Sequence, residues 1–136
     1  MNIKFPHTDE IKFILRDKAD FVILDGLNYL IPNWKRFAEK YADTEDLIYE
    51  WLNDLATREI IDQVLNILSD EERAKIEKVI DPIDKIVFDK TFEIMECVWG
   101  PFVEKDKMYN REKHWYFYRV NQDIFDSEEG QFTKRI

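Results

Sequence analysis

Apolar residues recur along this chain at alternating steps of three and four, the spacing that lines one face of a helix. A first short run, Ile11, Ile14 and Leu15, follows Thr8, whose hydroxyl suits an N-cap. Asp20 is placed to cap the next helix. Leu24, Leu27, Ile31, Trp34, Ala38 and Tyr41 then form one stripe. Pro32 lies inside that stripe, removes a backbone donor and clashes with the preceding turn. The sequence therefore predicts a kink there, or a break into two helices. Asp25-Gly26 weakens the first half further.

Asp43 or Thr44 is expected to open the following helix, with acids in its first turn that suit the positive end of the helix dipole. Leu47, Ile48, Trp51, Leu52 and Leu55 make its apolar face. Ile60, Ile61, Val64, Leu65 and Leu68 repeat the spacing after a slip of one residue, which predicts a break near Thr57. Ser69 and Glu72 have the capping-box form, a hydroxyl at the cap and a carboxylate three residues on. Ile76, Val79, Ile80, Ile83, Ile86 and Val87 carry a stripe straight through Pro82. Asp81-Pro82 thus marks either a kink or a fresh helix start with proline at its first position. This segment is expected to end before Gly100-Pro101.

The last third changes character. His114-Trp115-Tyr116-Phe117-Tyr118-Arg119-Val120 is aromatic and β-prone, so it reads as extended, pairing with Cys97-Val98-Trp99 or lying across the helices. In that conformation Trp115, Phe117 and Arg119 face one way, and Tyr116, Tyr118 and Val120 the other. One set can bury while the other covers surface or meets a partner. No internal repeat or low-complexity tract interrupts the chain. The expected fold is mainly α, a compact bundle of about five or six helices with a short extended or β-like C-terminal segment, in one domain over 1–136.

Composition narrows the function classes. The chain has 136 residues, 36% charged and 15% aromatic, and its 29 acids against 20 bases leave a net charge of −9. So many aromatics argue against a disordered acidic tail. No apolar run approaches the ~18 residues of a membrane span. Charged residues interrupt the first stretch, so no secretory signal is expected and the chain reads as cytoplasmic. The single cysteine, Cys97, leaves no internal disulfide, and its apolar neighbours mark it as an inert core thiol.

Catalytic patterns are not apparent. His7 and His114 sit at opposite ends with no zinc-ligand spacing, so no metal and no cofactor are expected. Glycines at 26, 100 and 130 cannot build a phosphate-cradling loop. Glu50 and Asp54 share one helix face, but like charges four residues apart ordinarily face water. No catalytic residues are assigned and the chain is not expected to be an enzyme. Trp34, Phe37, Tyr41 and Trp51 lie on or beside the stripes and are read as core.

The local charge pattern is more informative. Residues 41–72 hold ten acids against one base, Arg58, so the whole imbalance sits in about a quarter of the chain. A smaller acidic run, Asp123, Asp126, Glu128 and Glu129, lies near the C-terminus. Such a surface repels phosphate backbones, which disfavours direct nucleic-acid binding, and it attracts a basic protein. Solvated helix faces that simply keep the protein soluble are the alternative reading of these runs.

Pro32-Asn33-Trp34, Trp51-Leu52-Asn53-Asp54-Leu55 with Arg58, and the Trp115–Tyr118 block are similar to segments of small bacterial immunity proteins. In acidity, size and helical character the chain resembles the immunity partners of toxin–immunity pairs, such as those of contact-dependent growth inhibition. That resemblance implies a tight complex with a cognate basic toxin, often a nuclease, whose active or substrate-binding surface is blocked. Charge position, independently, assigns partner binding to an acidic helix near 43–55 with Asp43, Glu45, Asp46, Glu50 and Asp54, followed by Asp62. A regulatory or scaffold module with a non-toxin partner is the alternative function.

Overall fold

The computed structural model describes residues 4–127, which form seven α-helices, a short 3₁₀ turn and a two-stranded antiparallel ribbon. The expected mainly α bundle is what forms. Glu128 and Glu129 lie outside the described residues.

Helix α1 (Asp9–Ile14) starts where its cap was expected: the Thr8 hydroxyl accepts the Ile11 amide at 3.3 Å. Helix α2 (Asp20–Asp25) is capped by Ala19 rather than Asp20, which becomes the first helical residue, where its charge still suits the dipole. The chain then turns at Gly26 with φ +55°, and α3 runs over Leu27–Lys40. The interruption thus falls at Gly26 and not at Pro32. Leu24, on the far side of that turn, leaves the stripe and is 70% exposed, while Leu27, Leu30, Ile31, Trp34, Phe37 and Ala38 are buried.

Both internal prolines are accommodated without a break. α3 contains Pro32, and α5 (Asp70–Lys90) contains Pro82. Each proline is exposed. The orphaned carbonyls, four residues earlier, are those of Asn28 and Lys78. A proline inside a helix costs about 3 kcal/mol, whereas each large apolar side chain buried on either side contributes about 1.5–3 kcal/mol, so packing wins. The Ser69 cap of α5 forms as expected, accepting the Glu72 amide at 3.2 Å.

Helix α4 spans Ile48–Leu65 in one piece, so neither the start at Asp43 or Thr44 nor the break near Thr57 occurs. The apparent slip has a simple cause. Trp51, Leu55, Arg58, Ile61 and Leu65 are all buried, and Arg58 fills the stripe position where an apolar residue was expected. Its guanidinium is forked onto Asp84, with Nε to Oδ1 and Nη2 to Oδ2 both at 3.0 Å, while Nη1 reaches Asp62 at 2.6 Å. Trp34 Nε1 donates to Asp84 at 2.8 Å, and the Tyr116 hydroxyl donates to Asp62 at 2.7 Å. Five side chains thereby join α3, α4, α5 and the C-terminal aromatic block. Burial alone would lower the Arg58 pKa, but the Asp84 hydrogen bonds and charge, with those of Asp62, hold it above its ordinary value.

The C-terminal third departs most from expectation. Trp115–Tyr118 forms the 3₁₀ turn, and only Arg119–Val120 (β2) is extended, pairing with Phe92–Glu93 (β1) in the register Phe92↔Val120, Glu93↔Arg119. Cys97-Val98-Trp99 meets the block without strand pairing, through Val98 N to Phe117 O at 2.8 Å and through the Trp99 ring, edge-on to Phe117 at 5.9 Å. A strand would send alternate residues to opposite faces. Here Tyr116, Phe117 and Tyr118 are all buried, because the turn sends Tyr116 to Asp62 on α4 and Tyr118 to Glu104 on α6 (Pro101–Lys107). Helix α7 (Gln122–Asp126) closes the described chain under an Asn121 cap.

Two predictions follow from this packing. Arg58→Ala leaves Asp62 and Asp84, both partly exposed, without their shared cation and is expected to destabilise the fold by about 2–3 kcal/mol in chemical denaturation. Gly26→Ala forces a side chain onto positive φ with its Cβ 2.5 Å from the His7 ring. A loss of about 1–3 kcal/mol is expected, only partly recovered when His7→Ala is added, because the backbone strain stays.

Candidate functional site

The acids of 41–72 do not form one helical face. Tyr41–Thr44 is a turn after α3, residues 45–47 are non-helical, and α4 begins only at Ile48. Asp43, Glu45 and Asp46 therefore lie in the connection, while Glu50 and Asp54 occupy the first two turns of α4. This corrects the acidic helix near 43–55 expected from sequence. Asp43 sits 3.7 Å from Lys90, whose ammonium also donates to the Ala38 and Glu39 carbonyls at the end of α3. Asp46 is exposed. Asp62 is held by Arg58 and Tyr116 and belongs to the buried network.

The other three carboxylates converge. Glu45, Glu50 and Asp54 line a cleft of about 460 Å³ between α3 and α4, together with Arg36, Asn33, Phe37, Tyr41 and Leu47. Arg36 is drawn toward Asn33, with Nη2 donating to its Oδ1 at 2.5 Å, and acts on Asp54 only by its charge. Glu45 also shapes the connection: its carboxylate accepts the Leu47 amide at 3.2 Å and its backbone carbonyl accepts Asn121 Nδ2 at 2.8 Å.

Asp54 is where this crowding is felt. Partial burial, then the charges of Glu45 and Glu50, push its carboxyl from 3.8 up to about 6, with Arg36 opposing. Glu50 and Asp54 were expected to be an ordinary solvated pair. Instead the connection brings Glu45 into the same cleft.

Sequence reading missed the apolar part of this surface. Tyr41 and Leu47 had been placed on core stripes, yet Tyr41 is 43% and Leu47 55% exposed, and neighbouring Tyr49 is 76% exposed. α3 ends one residue before Tyr41 and α4 starts one after Leu47, so neither residue shares a helix's buried face. Tyr49 lies off the 48, 51, 55 stripe, and that offset is the one signal in the sequence that marks it as outward-facing.

The remaining candidates fall elsewhere. Cys97 is buried, and desolvation raises its thiol pKa, which suppresses the thiolate. The His7 ring donates from Nε2 to the Ile23 carbonyl at 2.7 Å, while His114 packs against Tyr109 and Phe117. Among the described residues no group of three or more His, Cys, Asp and Glu side chains is arranged to hold a metal ion. No helix of the described residues is long and apolar enough to cross a membrane.

Because the folded chain holds the Asp54 proton more tightly than the unfolded chain, this group favours folding below pH 3.8 and loses that contribution as pH rises to about 6. Asp54→Asn is expected to flatten the stability profile across that window. At pH 7 it should raise stability by up to about 1 kcal/mol, discounted for solvent screening at a half-exposed site. Thermal denaturation of both forms at pH 4, 5, 6 and 7 reads this directly, and an unchanged slope would remove the crowded cluster.

Comparison with family models, with curated proteins and with solved structures returns no match.

Proposed function

We propose that this chain is an acidic binding protein that neutralises a cognate basic toxin in the bacterial cytoplasm. It does so by forming a tight complex over the toxin's active or substrate-binding surface. The observation that carries the binding reading is the crowding of Glu45, Glu50 and Asp54 in one cleft, beside the exposed Tyr41, Leu47 and Tyr49. Like charges held this close oppose folding of the free chain, and a cationic partner relieves that opposition. Charged groups here steer the encounter, while the tyrosines supply the large, stiff, amphipathic contacts typical of interface anchors. The toxin itself is the part of the reading that rests on resemblance to immunity proteins.

Asp46, exposed beside the cleft, extends the same negative field. Asp43 contributes less, being paired with Lys90. Asp62 contributes through Arg58 to the position of α4 and not by direct contact.

The test is a tagged pull-down from the native cell, washed at low and high salt, with bound proteins identified by mass spectrometry. One stoichiometric basic partner, retained less well at high salt, is expected. Against that partner, the triple change Asp46→Lys, Glu50→Lys, Asp54→Lys should abolish binding and its salt dependence, and Tyr49→Ala should weaken it by about tenfold or more. Affinity should also fall between pH 7 and pH 5 as Asp54 takes up its proton. Unchanged affinity in both variants would place the interface on another face, and a stoichiometric partner without toxic activity would favour a regulatory module.

A further inference from the structure

On the other side of the buried network, α5 and the 3₁₀ turn frame a second recess of about 380 Å³, lined by Asp81, Asp84, Lys85, Phe88 and Trp115. It shares no lining residue with the acidic cleft and does not depend on the function proposed above. Asp81, Asp84 and Phe88 stand three and four residues apart, so α5 presents them on one face. Trp115 is the one aromatic of its block that the core does not bury completely; its neighbours 116–118 are buried. The Phe88 and Trp115 rings lie 6.1 Å apart at 58°, an open angle and not a closed stack.

The polar groups around these rings are unequally engaged. Asp84 is committed to Arg58 and Trp34. Lys85 turns along its own helix to Asp89, at 3.0 Å. Asp81 is exposed and makes no ion pair or hydrogen bond with any described residue. The recess thus offers two aromatic walls and one uncommitted carboxylate, beside two charges that are already paired, Asp84 with Arg58 and Lys85 with Asp89. A purely apolar group would desolvate Asp81 without return. A planar cation satisfies all of it, stacking on the rings while hydrogen-bonding the carboxylate. The protein already makes half of this arrangement internally: the Arg119 guanidinium carbon lies 3.8 Å from the centre of the Phe88 ring, its donors held by Thr91 and the Phe88 carbonyl.

We propose that the recess between Phe88 and Trp115 receives an arginine side chain from a protein partner, its guanidinium set against the two rings and hydrogen-bonded to Asp81. Arginine is favoured over lysine because its flat fork matches both a ring face and a carboxylate edge, whereas an ammonium matches neither shape.

The experiment titrates the full chain with Nα-acetylarginine methylamide and, in parallel, with the neutral isostere Nα-acetylcitrulline methylamide. The readout is the Trp115 indole N–H resonance, identified by its disappearance in Trp115→Phe. A saturable shift is expected with the arginine probe, about tenfold weaker with citrulline and similarly weakened by Asp81→Asn, an exposed change that leaves the core untouched. The indole resonances of the buried Trp51 and of Trp99 should stay still. Equal response to the two probes, an unchanged response in Asp81→Asn, or no saturable shift up to ~50 mM would each overturn the assignment.

Discussion

A guanidinium in the core constrains how three helices of this fold meet. Arg58 occupies a stripe position of α4, and a buried charge there is tolerable only when every donor finds an acceptor in good geometry. That condition brings Asp84 from α5 and Asp62 from the next turn of α4 to fixed distances. They in turn orient Trp34 and Tyr116. Apolar residues can slide over one another at modest cost. A fork bonded at two oxygens cannot, so the network sets the mutual register of three helices and of the C-terminal block.

The helical class and several helix starts were legible because they rest on local chemistry. Thr8 and Ser69 cap the helices that their spacing predicts, and the middle of the Trp34 stripe, from Leu27 to Ala38, and most of the Ile80 stripe are buried as periodicity requires. What could not be read was decided by distant partners. Arg58 looked like an interruption because its acceptor Asp84 lies 26 residues away. The prolines looked like breaks because sequence alone does not say which side of a helix meets water. The aromatic block looked like a strand because the propensities of tyrosine and phenylalanine are β-like, whereas the destinations of Tyr116 and Tyr118 on two different helices call for a tighter turn.

The candidate surface was legible as charge but not as shape. Counting acids located the segment, yet only folding shows that Glu45 joins Glu50 and Asp54 while Asp62 is engaged by Arg58 and Tyr116. The exposed tyrosines were hidden by the same periodicity that located the core, since a residue just past a helix end still matches the stripe's count. Two faces result, one where negative charge is crowded and one where aromatic walls meet a free carboxylate. Both complement positive charge, and neither shares a lining residue with the other.

The hydrogen bond from Asn121 to the Glu45 carbonyl spans 76 residues of chain. The connection that carries the acidic cleft is therefore tied at its middle to a side chain from the last tenth or so of the sequence. During synthesis, α3 and α4 can pack long before that side chain leaves the ribosome, but the connection between them lacks its tether until then. The same asparagine also caps α7, so one residue ends the assembly of both segments. The shape of the acidic connection is in this sense linked to the docking of the C-terminal segment, through one asparagine that serves both.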